Sequence, residues 1–461
     1  MRARVLFVAV VMVSCAVVRS ARAQDAHYWT QKYGTSALLL NGTVLGSGVD
    51  LSTTYYNPGT LALMGDTVSV LAVKALDFSN VTIKDATGTG QDISEPRNSV
   101  LPTFFGGTVP IRIFGSVPLA YSFFPRQLAQ FDLSVQSVRP IDLLPPPGAE
   151  QTAIVGRFEE ELSENWAGVT WARKFGPRLG IGLSQFVAIR SQRVRREFLV
   201  QTFANDSVGG SFTDIRGNTY NDWRTITKVG IAVELTKLRL GLNVTSPSIH
   251  ITGSGTAGED RALVGLDVNG DGTPDNDLVA TYQDGIPVNY KSSLALGGGA
   301  ALDLGATTLY LSAEHFGAVS RYSVFETTPV TSAASGLPVA FTFYHEFESV
   351  TNYGVGVQHR LSPGSVGYLS FSTDYSADPH GKSDFALGDW NSYLATAGLD
   401  FPVGRSKFTV GLGYGWGSGD GDRLDTLDQE AGDSGLLPAG TTFQDAKTSY
   451  RNFRVIFGFT I

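Results

Sequence analysis

The last thirteen residues, SYRNFRVIFGFTI at 449–461, set Phe453, Val455, Phe457, Phe459 and Ile461 on one parity, while Arg451, Arg454 and Gly458 interrupt the remainder. Apolar residues at every second place define a strand with one greasy face. In a chain with 53 glycines, 17 tyrosines and 27 phenylalanines, such a closing strand suggests a face turned to lipid. The plainer alternative is the edge strand of a soluble all-β domain, and the rest of the chain has to decide between them.

The beginning of the chain favours lipid. Arg2 and Arg4 precede an apolar run from Val5 to Val13, and Ala21-Arg22-Ala23 has the small-x-small form of a cleavage site. Residues 1–23 therefore read as an export signal, too short to span a membrane as a helix. Cys15, the only cysteine, lies inside it behind a poor lipoprotein box, so no disulfide or thiol chemistry is expected in the mature chain. Removing the signal takes four arginines from a balance of 35 basic and 43 acidic residues, leaving 31 against 43, or −12. That charge, with no basic stripe, excludes a nucleic-acid partner. No later stretch is apolar for the roughly eighteen residues a membrane helix needs, which leaves a barrel of short alternating strands open.

Alternation predicts fourteen strands, at 68–78, 102–113, 116–125, 164–175, 179–191, 222–235, 238–249, 287–302, 307–320, 346–361, 365–375, 391–402, 407–417 and 449–461. Leu179, Ile181, Leu183, Val187 and Ile189 share a parity, as do Leu238, Leu240, Leu242 and Val244. Tight connectors such as Gly176-Pro177-Arg178 and Ser362-Pro363-Gly364 alternate with long polar ones at 126–163, 192–221, 250–286, 321–345, 376–390 and 418–448. A soluble sandwich has no reason to keep that parity, whereas an outer-membrane barrel has short turns on one side and long loops on the other. The expected fold is an all-β transmembrane barrel of fourteen antiparallel strands over 68–461. The first strand should close against the last, leaving no edge in lipid. Glu314, on the parity opposite Leu309 and Leu311, should face the lumen. Tyr375, Trp390, Trp416 and Tyr450 fall near the long-loop ends, where aromatic rings suit the membrane interface.

Residues 24–67 do not alternate. They hold His27-Tyr28-Trp29, Lys32-Tyr33-Gly34, Asp50 to Thr54, and Tyr55-Tyr56-Asn57-Pro58-Gly59-Thr60-Leu61-Ala62. These words, with the signal and the strand pattern, resemble the FadL/OmpP1/TodX family of outer-membrane long-chain fatty-acid and hydrocarbon channels. The resemblance implies an N-terminal hatch (plug) over 24–67, inside a fourteen-stranded barrel in the outer membrane of a Gram-negative bacterium. Asn57, Pro58 and Gly59 match the family's Asn-Pro-Ala hatch motif, with glycine for alanine predicting a looser turn. It also implies passive uptake of hydrophobic small molecules, with lateral release at a break near the third strand, where Pro118 and Pro125 are the candidates. Uptake further predicts a continuous apolar pocket between plug and wall. Leu143 and Leu144, in an apolar but proline-rich segment, are the candidate capture groove. The terminal strand resembles the signal read by the barrel assembly machinery, with Phe459 keeping the pattern and Ile461 departing from it.

Asp267, Asn269, Asp271, Thr273 and Asp275, with glycine at Gly272, have the donor spacing of a calcium loop. The bidentate glutamate is replaced by Leu278, with Asp277 as the nearest carboxylate; the alternative is an acidic solvent-facing turn. Any such calcium would be structural, and no cofactor is required. Catalytic arrangements are absent from the sequence: the six histidines never fall in a metal spacing, Gly297-Gly298-Gly299 is no phosphate loop, and no Gly-x-Ser-x-Gly elbow occurs. The strand glycines instead suit close packing. Glu159-Glu160-Glu161 reads as a solvated face. Arg190, Arg193, Arg195 and Arg196 either meet lipid or lipopolysaccharide headgroups or a carboxylate ligand, or balance neighbouring acids. Three functions stay open: uptake by a monomeric barrel, a non-transporting adhesin or structural barrel, and a lipid-acting barrel enzyme.

Overall fold

The computed structural model describes residues 26–64, 70–86, 90–146, 148, 150–204, 207–267, 271–333, 336, 338–362, 364–378, 390–404, 406–422 and 445–460. The expected signal, Asn269, Ile461 and most of the connectors at 376–390 and 418–448 lie outside these. The N-terminal segment forms three one-turn helices, α1 (Ser36–Leu39), α2 (Thr53–Tyr56) and α3 (Pro58–Leu61). Strands follow: β1 (Val70–Lys84), β2 (Ile93–Val109), β3 (Leu119–Ile141), β4 (Glu150–Phe175), β5 (Leu179–Ala204), β6 (Ser207–Glu234) and β7 (Leu238–Thr245). Next come β8 (Ile249–Leu266), β9 (Asp275–Pro287), β10 (Ala295–Leu304), β11 (Thr307–Phe316), β12 (Val319–Glu326), β13 (Val330–Thr331), β14 (Pro338–Val339) and β15 (Thr342–Phe347). The last are β16 (Val350–Ser362), β17 (Ser365–Asp374), β18 (Asn391–Val403), β19 (Ser406–Asp422) and β20 (Asp445–Thr460).

One antiparallel sheet of sixteen strands runs β5-β4-β3-β2-β1-β20-β19-β18-β17-β16-β11-β10-β7-β6-β8-β9, and β5 also pairs with β6. Apart from the β8–β9 hairpin, every strand of this sheet has a partner on both sides, as in a β-barrel-like channel fold. Each of the fourteen expected strands overlaps one of them. β20 pairs with β1 from Val70↔Thr460 to Lys84↔Lys447, so the closing strand does meet the first.

The two faces sort as the alternation requires. On β20, Phe453, Phe457 and Phe459 are exposed while Asn452, Arg454 and Ile456 are buried, and Arg454 reaches Asp77 of β1 at 2.8 Å. On β11, Leu309 and Leu311 face out, and Ser312 and Glu314 face in. Trp416 is exposed and stacks with Tyr393 and Tyr414 at 5.9 and 5.7 Å. Trp390 is a correction: it is buried and stacks on Tyr450 at 5.5 Å, because both rings point inward into an apolar cluster with Val81 and Phe131.

The long connectors also need correcting. Most of segments 126–163 and 192–221 is strand rather than loop, since β3 and β4 pair to Ile141↔Glu150, and β5 and β6 pair to Ala204↔Ser207. Along β4 the inward residues are Trp166, Glu164 and Glu160 and then Phe158 and Ile154, while the outward ones change from Val169 to Glu161, Glu159 and Arg157. Here the outer face is polar and the inner face packs, so the apolar parity inverts and the sequence looks like a polar loop. Segment 250–286 is likewise the β8–β9 hairpin, and 321–345 contains strand pairs β12–β15 and β13–β14.

Candidate binding site

Residues 26–64 are almost wholly buried and fill the space the strands surround. One carboxylate organises this segment. Asp50 Oδ2 accepts from the Thr35 and Ala37 N–H groups at 2.8 and 3.0 Å, and its Oδ1 accepts from Ser52 N and Ser52 Oγ at 3.0 and 2.5 Å. A buried carboxylate with this many donors fixes a segment that has little secondary structure of its own. Wall side chains then hold the segment's backbone: Ser184 Oγ donates to Thr54 O at 2.6 Å, Asn243 Nδ2 to Tyr56 O at 2.7 Å, and Ser370 Oγ to Leu39 O at 2.8 Å.

Asn57, Pro58 and Gly59 lie where the segment presses hardest on the wall. Asn57 Oδ1 caps α3 by accepting from Gly59 N at 3.0 Å, with proline at the favoured first helical turn. Its Nδ2 donates to Leu45 O at 2.8 Å and Ile231 O at 3.2 Å. Glycine at 59 does not loosen this turn. A Cβ there would stand 2.6 Å from Gly230 O, and one on Gly230 would stand 2.1 Å from Asn57 Oδ1. Gly182 and Gly241 make equally close approaches, to Pro58 O and Leu45 O. The strand glycines thus serve close packing, as the sequence suggested.

Above this contact is a cavity of about 50 Å³ lined by Tyr28, Tyr55, Arg126, Trp166, Glu314 and Phe347, among others. It is far smaller than the roughly 300–1,000 Å³ of a typical ligand pocket. Among the described residues this cavity is not the continuous apolar pocket expected from the sequence, because the N-terminal segment and a charged network occupy the space around it. In that network Glu164 lies 2.6 Å from Arg224 Nη2 and 3.3 Å from Arg190 Nη1, and it accepts from Trp166 Nε1 at 2.7 Å. Glu314 accepts from Trp29 Nε1 at 2.8 Å and Lys228 Nζ at 3.4 Å, in the lumen as expected. The Arg190 and Arg224 guanidinium groups lie 4.0 and 4.4 Å from the Tyr290 ring.

Arg126 differs from these cations. The β3–β4 register shifts between Pro125↔Asn165 and Gln127↔Glu164, which leaves Arg126 as the extra residue of a bulge. Bulges re-aim side chains. Here the guanidinium is buried between the rings of Tyr28, Tyr55 and Trp166, at 6.0, 5.8 and 5.8 Å. It forms no ion pair among the described residues, and its Nη1 has no hydrogen-bond partner there.

Beside the bulge the wall is incomplete. β2 and β3 pair only from Phe105↔Phe123 to Val109↔Leu119. Beyond that, β2 pairs with β1 and β3 with β4, until Glu95 accepts from Asp132 N at 3.0 Å. The intervening seam is roughly 25 Å long at ~3.3 Å per residue. Its inner side is apolar, with Phe104 and Phe124 buried and their centroids 6.0 Å apart. Pro125 lies at this seam, whereas Pro118 lies in the connector before β3.

The other sequence candidates are dispersed. Leu143 and Leu144 are buried with Ile154, Phe198, Phe212 and Leu266 in a separate cluster. Asp267 accepts from the Asp271 and Gly272 N–H groups at 3.1 and 2.8 Å, Asp271 accepts from Thr273 N at 2.9 Å, and Asp275 opens β9. Asp277 is held by Arg261 at 2.8 Å. Among the described residues no three His, Cys, Asp or Glu side chains converge as a metal site. One earlier expectation changes: Glu160 is buried and accepts from Gln192 Nε2 at 2.7 Å; Arg190 points inward and balances an acid, Glu164, at 3.3 Å. Arg195 does balance an acid, Glu197, at 2.6 Å. Arg126, Glu164, Arg224 and Lys228 were missed by sequence reasoning. The inward parity that identified Glu314 also marks Arg224 and Lys228 on β6, opposite the outward Val229 and Ile231.

No family model matches the sequence, and no curated protein does. Solved structures do share its fold. The Pseudomonas putida toluene transporter TodX is 11% identical with a TM-score of 0.52, covering 96% of this chain and 99% of that one. A Pseudomonas aeruginosa FadL homologue is 10% identical with a TM-score of 0.55, covering 94% and 99%. The CymD monoaromatic hydrocarbon channel is 12% identical with a TM-score of 0.54, covering 93% and 98%. At these identities the likeness concerns the fold.

Proposed function

We propose that the chain is a closed fourteen-stranded barrel in the outer membrane of a Gram-negative bacterium, with residues 24–67 as its hatch after removal of 1–23. It passively takes up hydrophobic small molecules that carry a carboxylate, of the long-chain fatty-acid kind, and releases them sideways through the β2–β3 seam. The fold it shares with channels named for toluene and monoaromatic hydrocarbons supports the transport reading. The observation that carries the finer reading is Arg126, a buried guanidinium with no carboxylate partner among the described residues, caged by aromatic rings beside the seam.

Burying an unpaired guanidinium costs several kcal/mol, and a ligand carboxylate offering two oxygens to its fork offsets that cost. The apolar tail would lie along Phe104 and Phe124, gaining about 25 cal/mol per Å² of apolar surface buried. Admission requires the cavity lining to move. The solute is first caught at the apolar cluster holding Leu143 and Leu144, and Pro125 keeps the seam open by lacking an N–H to donate. Lipid and lipopolysaccharide surround a monomer inserted by the barrel assembly machinery, and Asp267, Asn269, Asp271, Thr273 and Asp275 hold a structural calcium ion. No enzymatic step is involved. The hydroxyl–imidazole pairs Thr307–His359 and Thr351–His315 are exposed and away from the cavity.

Binding of laurate and of dodecane to the purified protein tests the role of Arg126. Charge-assisted hydrogen bonds contribute about 1.5–3 kcal/mol, so Arg126→Leu should weaken laurate roughly tenfold to a hundredfold and leave dodecane nearly unchanged. Equal effects on both ligands would remove the carboxylate from the account. The small cavity favours one rival, a non-transporting surface barrel, which predicts saturable binding of neither.

A further inference from the structure

We infer that the short-turn end of the fold carries a binding site for a small multivalent oxyanion, distinct from the cavity beside Arg126. Beneath the N-terminal segment lies a vestibule of about 590 Å³, floored by Gly48 and Val49. Its walls carry four cations, Lys237, Arg239, Arg360 and Lys407, and two carboxylates, Asp303 and Asp400. These come from six different strands or turns, so the wall itself brings them together.

The charges do not cancel. Arg239 Nη2 pairs with Asp303 Oδ1 at 2.6 Å, and Lys407 Nζ with Asp400 Oδ2 at 2.9 Å. Both carboxylates are already well supplied with donors: Asp303 accepts from Thr308 Oγ1 at 2.7 Å, and Asp400 from Ser36 Oγ, Tyr368 OH and Thr409 Oγ1 at 2.7, 2.9 and 2.6 Å. Arg360 meets no carboxylate among the described residues; its Nη2 donates to Gly305 O at 2.6 Å, and the rest of its fork stays open. The Lys237 ammonium has no side-chain partner there. Two positive charges are left over, in a concavity of a chain whose overall charge is −8. A walled cleft whose charges leave a net positive balance concentrates counter-ions of the opposite sign. The polar lining is unsuited to apolar cargo, whereas a phosphate or a small polycarboxylate presents several oxygens to separated cations at once.

The same cations also touch the N-terminal segment. Arg239 Nη1 donates to Ser47 Oγ at 2.8 Å, and Lys407 Nζ to Ser36 Oγ at 2.7 Å. An oxyanion that draws these donors into the vestibule releases Ser36 and Ser47, and so loosens the underside of the segment. Only this second effect rests on reading the segment as a hatch.

The test is calorimetric titration of the full chain in detergent micelles with sodium phosphate, and separately with sodium citrate, against sodium chloride at matched ionic strength. Saturable heat in either arm, lost by about tenfold in affinity in Lys237→Gln/Arg360→Gln but kept in Arg178→Gln on another turn, supports the site and identifies its anion. No saturable heat in either arm overturns it, as does equal loss in Arg178→Gln, which would indicate diffuse surface charge. Amide exchange of Ser36–Leu39 should quicken when the anion binds. Saturable binding with unchanged exchange would overturn the coupling while leaving the site. None of these outcomes depends on laurate binding, so the site can stand or fall apart from the transport reading.

Discussion

Replacing Asp50 with alanine should release the N-terminal segment, the proposed hatch, while leaving the wall intact. Among the described residues the Asp50 carboxylate is the sole side-chain acceptor for three backbone N–H groups, those of Thr35, Ala37 and Ser52, at 2.8, 3.0 and 3.0 Å. All three donors belong to buried residues. A buried donor left without a partner costs about 1–3 kcal/mol, so the loss is about 3–9 kcal/mol, and lower where water enters the vacated space. The strands keep their own ladders, so the effect should be local. Amide exchange followed by mass spectrometry reads this directly. Peptides within 34–64 should lose at least about a hundredfold of protection, corresponding to the lower end of that range, while β4, β5 and β6 keep theirs. Cells carrying Asp50→Ala should also admit large antibiotics that the outer membrane normally excludes. Hatch peptides protected as in the wild type would refute the role of Asp50. Equal loss of protection in hatch and strands would refute the claim that the hatch is a unit separable from the wall.

Three further outcomes follow from individual contacts. Gly230→Ala should push Asn57 and Pro58 off the wall, at an overpacking cost of about 1–3 kcal/mol, because the new Cβ would stand 2.1 Å from Asn57 Oδ1; exchange in 53–61 should quicken, whereas Gly217→Ala, with its nearest neighbour at 3.7 Å, should do nothing. Lys32 gives the hatch a pH dependence. Burial pushes its ammonium down to about 7, against the opposing pull of Asp374, so between about 7 and the ordinary lysine value the opened hatch binds more protons than the closed one. Hatch protection, corrected for intrinsic exchange, should therefore rise as pH climbs through that window and level off above it, and Lys32→Met should flatten the slope; an unchanged slope would remove Lys32 from this role. Calcium should protect the 267–277 segment from proteolysis and Asp271→Ala should abolish that protection, while a wild-type chain indifferent to calcium would end the metal proposal.

How much of this could be read from the sequence depended on which medium each strand face meets. Where one face is apolar and exposed and the other packs on the filled interior, as in β20 and β11, parity alone placed Phe457 outward and Glu314 inward. Farther along β4, Arg157 and Glu159 face outward while Phe158 and Ile154 pack inside, and the inverted pattern looked like loop. Trp390 was misplaced for a related reason: an aromatic residue at a strand end can serve either the interface or an inner cluster, and composition does not separate the two. The Asn57-Pro58-Gly59 turn was recognisable, but the role of Gly59 was not, because it depends on Gly230, far away in sequence and supplied by the wall. Arg126 was missed because a bulge shifts it out of register with its neighbours. Pro125 beside it was the available signal, and it indicated a break in the wall without saying which side chain the break would re-aim.

Uptake of radiolabelled laurate and dodecane by cells lacking the protein, and by the same cells supplied with the wild type or Arg126→Leu, tests the central claim most directly. The account predicts that the wild type raises the initial uptake rate of laurate and that Arg126→Leu removes most of that gain. No difference in laurate uptake with and without the protein would contradict it, and no difference with either solute would leave the non-transporting barrel in its place.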